Sequence, residues 1–210
     1  MASESRRVRN KQRVRERVYS SAMTLITLRG YAGASVEDIA EHADVARSTF
    51  FNYFPRKEAL IGVWAEARRQ RLLEQLAADG ADRPGSAETL RRCLTVLGSL
   101  NEDEPELSMA MITAWVNTGR PLDEEPYLAA ILADLVEAGR ARGEIRTGLA
   151  SEQVGEILRD LYLGVLCRWT RRSRAGQDPG RLTEELTQVL ELLLEGLVDR
   201  PQPGPEPAPG

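Results

Sequence analysis

Apolar side chains recur at intervals of three and four along most of this 210-residue chain, the spacing of helices that bury one face. Val18, Ala22 and Ile26 mark a first helix beginning near Lys11, and Val36, Ile39 and Ala40 a short second one. Ser35 precedes the second as an N-cap, with Asp38 three residues on to complete a capping box. The pattern breaks across Ala43-Asp44-Val45 and restarts at Arg47. It stops at Phe54, because Pro55 pushes the residue before it out of helical geometry. From Glu58 onward the periodicity predicts helices near 58–78, 86–101, 105–118, 125–142, 151–174 and 180–199. Turn signals such as Asp82-Arg83-Pro84-Gly85, Gly119-Arg120-Pro121 and Asp178-Pro179-Gly180 separate them. No alternating strand pattern of useful length occurs, so the expected fold is all-α. The last ten residues, PQPGPEPAPG, have nothing to bury, and disorder is expected there.

Residues 35–54 read as helix, short turn, helix, the arrangement that lays its second helix in the DNA major groove. On that second helix Phe50 and Phe54 suit a buried face, while Arg47, Ser48 and Asn52 suit a face turned to nucleic acid. The arginine fork matches guanine O6 and N7, and the asparagine amide matches an adenine edge. Ser35, Thr49, Tyr53 and Lys57 carry hydroxyls and an amine near helix starts, which suits phosphate contacts.

At these positions the chain resembles the tetracycline-repressor (TetR) family of transcriptional regulators. Ser35-Val36-x-x-Ile39-Ala40-x-x-Ala43-x-Val45 follows the family's helix-turn-helix pattern, and Thr49-x-Phe51-x-Tyr53-Phe54-x-x-Lys57-Glu58-x-Leu60 continues it. Val18, Ala22, Ile26 and the pair Gly30-Tyr31 match its first helix. Two positions depart from the pattern. Asp44 stands where the family usually has Gly, yet Asp is among the few residues that enter the left-handed region. Ala46 replaces a Ser or Thr and cannot cap the recognition helix, a loss of about 0.5–2 kcal/mol. The resemblance implies a phosphate contact for Lys57.

The net charge of −4 conceals an asymmetry: residues 1–57 carry +5 and residues 58–210 carry −9. A basic end on an acidic body presents one face to a polyanion. The basic residues are densest at Arg6, Arg7, Arg9, Lys11, Arg13, Arg15 and Arg17. The organisation expected is a basic flexible arm (1–9), a three-helix helix-turn-helix DNA-binding domain (10–57), a larger helical effector-binding and dimerisation domain (58–200) and the Pro/Gly tail (201–210).

In the larger domain, helices 151–174 and 180–199 carry apolar residues on more than one side, and a helix so built must bury more than one side. TetR-like proteins dimerise through their last two long helices, and Leu161, Val165, Leu190 and Leu194 are the residues expected to hold a homodimer. Trp64, Met109, Trp115, Asn117, Tyr127, Tyr162 and Cys167 lie on apolar faces and could line an effector pocket between helices. Few Lys or Arg interrupt those faces, which points to a neutral or cationic lipophilic effector. Cys93 and Cys167 are too few and too distant for a disulfide or metal framework.

No cofactor is implied. The single histidine, His42, has no catalytic company, and no nucleophile elbow, P-loop, dinucleotide fingerprint or metal-spaced cluster occurs. No run of eighteen apolar residues and no apolar N-terminal signal exists, so a cytoplasmic protein without membrane contact is expected. The resemblance implies a homodimeric repressor on a pseudo-palindromic double-stranded operator, released when a small molecule moves helix 58–78 as a lever. Two alternatives stay open: an activator or protein-responsive regulator of the same fold, and an all-α interaction protein that binds no DNA.

Overall fold

Helix α1 (Ala2–Gly33) opens the chain and turns sharply at Gly30, whose φ of 72° is one that side chains rarely tolerate. The computed structural model describes residues 2–78, 85–118 and 127–195, the side chains of residues 2–7 and of Tyr127 excepted. The break signals at 82–84 and 119–121, residues 196–199 and the tail 201–210 lie outside the described residues. Where a flexible arm is expected at 1–9, α1 runs from Ala2 onward. Arginine, glutamate and glutamine are good helix formers, and pairs such as Gln12–Glu16 brace the exposed face.

Two short helices follow, α2 (Val36–His42) and α3 (Arg47–Tyr53). Ser35 and Asp38 form the capping box read from the sequence, with Ser35 Oγ accepting from the Asp38 N–H at 3.0 Å. Asp44 makes the turn at φ 49°, and Ala46 offers no side-chain cap to α3. The remaining helices are α4 (Ala59–Ala77), α5 (Ser86–Glu102), α6 (Pro105–Asn117), α7 (Tyr127–Ala141), α8 (Ser151–Arg174) and α9 (Leu182–Glu195). Among the described residues there is no strand.

Two apolar cores result. The first joins Val18, Ala22 and Ile26 of α1, Ile39 of α2, Phe50 of α3, Phe54, and Leu60 and Ile61 of α4. It also takes in Leu107, Met111 and Ala114 of α6, so the N-terminal helices are seated on a helix that follows them by fifty residues. The second core is built from α5, α7, α8 and α9 with Leu72 of α4 and Ile112 of α6. Side chains close its ends: Glu144 accepts the Ser86 N–H at 2.6 Å where α5 starts, and Glu102 accepts the Thr183 N–H at 3.0 Å where α9 starts. Both supply the anionic acceptor that a helix N-terminus favours. The turn between α8 and α9 is held by the Trp169 indole and the Arg172 guanidinium, which donate to the carbonyls of Gly180 and Pro179.

Helices α7 and α8 approach so closely at Gly155 that a Cβ there would meet the Ala129 carbonyl oxygen and lie 2.8 Å from the Ala133 nitrogen. Backbone cannot move aside as a side chain can. Gly155→Ala is expected to destabilise the protein by about 1–3 kcal/mol or more, read as a fall in the urea midpoint at unchanged slope.

Candidate nucleic-acid interface and buried cavity

The exposed face of α3 carries Arg47, Ser48 and Asn52, while Phe50 on its opposite side is fully buried. The aromatic packing that fixes this orientation is specific. The Phe50 ring meets Phe51 edge-on at 5.4 Å and Phe54 at 5.5 Å. Arg47 is held on both sides: its guanidinium lies 4.9 Å from the Phe51 ring centroid, and its Nε–H donates to Glu37 of α2. Glu37 is kept more acidic than an ordinary glutamate by a backbone hydrogen bond and by Arg47. These two contacts of Arg47 fix its guanidinium at the exposed N-terminal turn of α3. Arg47→Ala is expected to weaken specific DNA binding by about 1–3 kcal/mol and to relax preference at one base pair. Titration of a panel of single-position operator variants would check this.

The residues expected at phosphates are placed differently from one another. Thr49 and Tyr53 are half-exposed beside the face that carries Arg47, Ser48 and Asn52. The Ser35 hydroxyl is committed to the capping box, donating to Asp38 Oδ2 at 2.5 Å while accepting from the Asp38 N–H. Lys57 lies in the turn before α4, where its amine donates to the Tyr31 carbonyl and rests 4.1 Å from the Tyr31 ring centroid. That contact ties the end of α1 to the start of α4, and burial lowers the amine's pKa. An ammonium has three donors, so two remain for a phosphate. Arg9, Lys11, Arg13 and Arg17 stand exposed along α1, and Arg17 donates to the Asp44 carbonyl at the turn.

Behind this unit, a cavity of about 440 Å³ opens between α4, α5, α6, α7 and α8. Trp64, Trp115 and Tyr162 line it with Leu72, Leu97, Ile112, Leu128, Leu163 and Leu166. Met109 and Asn117 line a separate depression of about 370 Å³ near Arg29, Tyr31 and Arg174. Cys167 is exposed on α8 and lines neither, and the Tyr127 side chain lies outside the described residues.

Charge on the cavity wall corrects one expectation. Arg68, Arg69 and Arg159 border it with Glu66 and Asp160, so the walls are not suited only to neutral or cationic guests. Arg68 is 9% exposed and reaches across to α5 and α6, donating to the Leu100 carbonyl and to Ser108 Oγ at 2.6 Å. Burial depresses its pKa. A signal for Arg68 existed in the sequence: it continues the stripe Leu60, Trp64, Leu72 at spacing four. An arginine in such a stripe is ordinarily read as solvated.

The expected dimer contacts need a second correction. Val165 is 1% exposed and Leu190 is 0% exposed within the single chain, both inside the second core. Neither can face a partner. The apolar stripe on α8 and α9 is broad, and its richer half turns inward against α5 and α7. Ile157 at 40% exposure, half-exposed Leu161 and Leu192–Leu194 are what these helices present outward.

Residues 18–62 match the model of the bacterial regulatory proteins of the tetR family, and residues 68–196 match the C-terminal domain of TetR/AcrR family transcriptional repressors. The HTH-type transcriptional repressor KstR of Rhodococcus jostii is 31% identical over 90% of this chain and 86% of its own. The crystal structure of Thermus thermophilus FadR in complex with lauroyl-CoA is 33% identical, covers 93% of this chain and 99% of that one, and superposes with a TM-score of 0.69. Bacillus subtilis FadR in complex with stearoyl-CoA shares the fold at 22% identity, with a TM-score of 0.67 over 87% of this chain and 99% of that one.

Proposed function

The chain belongs to the TetR family of bacterial transcriptional regulators, and from that premise we propose that an acyl thioester is the signal that lifts it from its operator. The protein is a DNA-binding transcriptional repressor responsive to a small molecule, and it works by binding rather than by catalysis. The finer reading is a homodimer on a pseudo-palindromic operator in the cytoplasm. Arg47, Ser48 and Asn52 would read bases, while Thr49, Tyr53, Lys57 and the backbone N–H groups at the start of α2 would meet phosphates. The outward apolar residues of α8 and α9, Ile157, Leu161, Leu192 and Leu194, would form the two-fold contact, with exposed Gly164 allowing close approach.

The observation that carries the effector reading is the position of Trp64. It packs against both cores and lines the cavity. Leu60, one turn before it on α4, is sealed in the DNA-binding core. A guest that displaces Trp64 therefore acts on the element that seats α3, and in a rigid dimer a small tilt at each α4 misaligns both recognition helices. The thioester class is supported by the mainly apolar lining, by the arginines among the lining residues and by the ligand in the similar Thermus thermophilus structure.

Fluorescence anisotropy of a labelled operator duplex tests the proposal. Dodecanoyl-CoA should release the duplex at micromolar concentration, while coenzyme A alone should leave it bound. Release by coenzyme A alone, or retention at saturating concentrations of several chain lengths, would rule out the acyl thioester class.

A further inference from the structure

Three buried polar atoms on residues in or beside this cavity lack a hydrogen-bond partner: Trp64 Nε1, Arg68 Nε and Asn101 Oδ1. Buried polar groups are nearly always paired, so such a grouping calls for a cause. Trp64 and Arg68 stand one turn apart on α4, with the guanidinium 4.3 Å from the indole centroid. The terminal nitrogens of Arg68 are taken by Leu100 and Ser108, and the carboxylate of Glu104, 46% exposed, is 3.7 Å away. That ion pair is long and its carboxylate half in solvent, so the buried guanidinium is only partly compensated. Across the cavity, Tyr162 Oη accepts from Asn101 Nδ2 at 3.0 Å and keeps its own proton to give. Around the inner wall, donors thus outnumber acceptors.

We propose that this inner wall binds an acceptor oxygen, a carbonyl or carboxylate carried on the buried end of the ligand, between Trp64, Arg68 and Tyr162. The effector is then an oxygenated acyl group and not a plain alkyl chain. The proposal rests on the acyl thioester reading for the outer end of the ligand, and it adds the chemistry of the inner end. It also supplies the trigger. An acceptor that draws Trp64 and Arg68 toward the cavity competes with the Leu100 and Ser108 contacts that anchor α4 to α5 and α6. Rearranging those contacts is how a ligand of this kind would shift the lever. A plain alkyl guest fills the same volume without offering Arg68 an alternative partner.

The test compares dodecanoyl-CoA with 11-oxododecanoyl-CoA and 11-carboxyundecanoyl-CoA. Binding is read by tryptophan fluorescence, and operator release by anisotropy. At least one oxygenated thioester should bind roughly tenfold more tightly than the plain one, the factor of one hydrogen bond to a buried donor or cation. The better of the two identifies a carbonyl or a carboxylate. In Trp64→Phe and in Arg68→Met the preference should fall to near unity. Each preference is a ratio within one variant, so a general loss of stability cancels; if Arg68→Met does not fold, Trp64→Phe decides. Equal binding of all three by the wild type, or a preference that survives both substitutions, overturns the acceptor site while leaving the thioester reading intact. Binding of free 11-oxododecanoic or dodecanedioic acid that depends on Trp64, with no response to any thioester, supports the acceptor site and removes the thioester. Binding of none of these compounds overturns both.

Discussion

Replacing Ile157 and Leu161 together by Asp is expected to yield a folded monomer whose operator affinity is lower by on the order of 10²–10⁴-fold, the gain that linking two binding modules provides. Ile157 is exposed and Leu161 lies half-buried at the edge of the second core, so carboxylates there remain in reach of solvent in the single chain and leave its fully buried residues in place. In a two-fold contact the same carboxylates would be buried without partners and face their own copies, a penalty of several kcal/mol. Analytical ultracentrifugation reads the assembly, and anisotropy reads the affinity. Leu190→Asp is the contrasting control. That residue is fully enclosed by its own protomer, and the variant should unfold rather than dissociate. A dimeric double variant with normal operator affinity would place the interface on another surface.

Phe50→Ala should be the most damaging single change in the N-terminal unit, at about 3–5 kcal/mol. Phe50 is fully buried and contacts the rings of Phe51 and Phe54. Removing it opens a void directly beneath α3, in the core that seats that helix. Thermal melts should show the loss of stability, and specific DNA binding should fall even at temperatures where the chain remains helical. Phe51→Ala, by contrast, removes a half-exposed ring and should cost far less stability. It should still loosen Arg47, whose guanidinium stacks on that ring.

How far the sequence revealed these features depended on how local each determinant was. The capping box at Ser35 and Asp38, the left-handed turn at Asp44 and the missing cap at Ala46 all depend on a few adjacent residues, and all were legible. The helices from α4 to α9 were legible for the same reason, since periodicity of three and four is a local property. Which half of a broad apolar stripe turns inward is not local. It depends on what α5 and α7 present, and so Val165 and Leu190 were placed on the wrong side of α8 and α9. The cavity posed the same difficulty in a sharper form. Trp64, Trp115 and Tyr162 are large and stood out, whereas Arg68 and Asn101 acquire meaning only through residues thirty to sixty positions away. A polar residue in an apolar stripe gives no indication of its partner.

The seating of the N-terminal core on α6 limits how this protein could be divided. Leu107, Met111 and Ala114 fill space among the first four helices, so a fragment ending at residue 57 lacks that part of its own interior as well as Leu60 and Ile61. Grafting the helix-turn-helix onto another regulator would expose the same apolar floor. The reading head and the sensing body are therefore not interchangeable cassettes. A recombinant that exchanges operator specificity between relatives would have to carry α6 with the first four helices, or re-evolve the three side chains that α6 contributes.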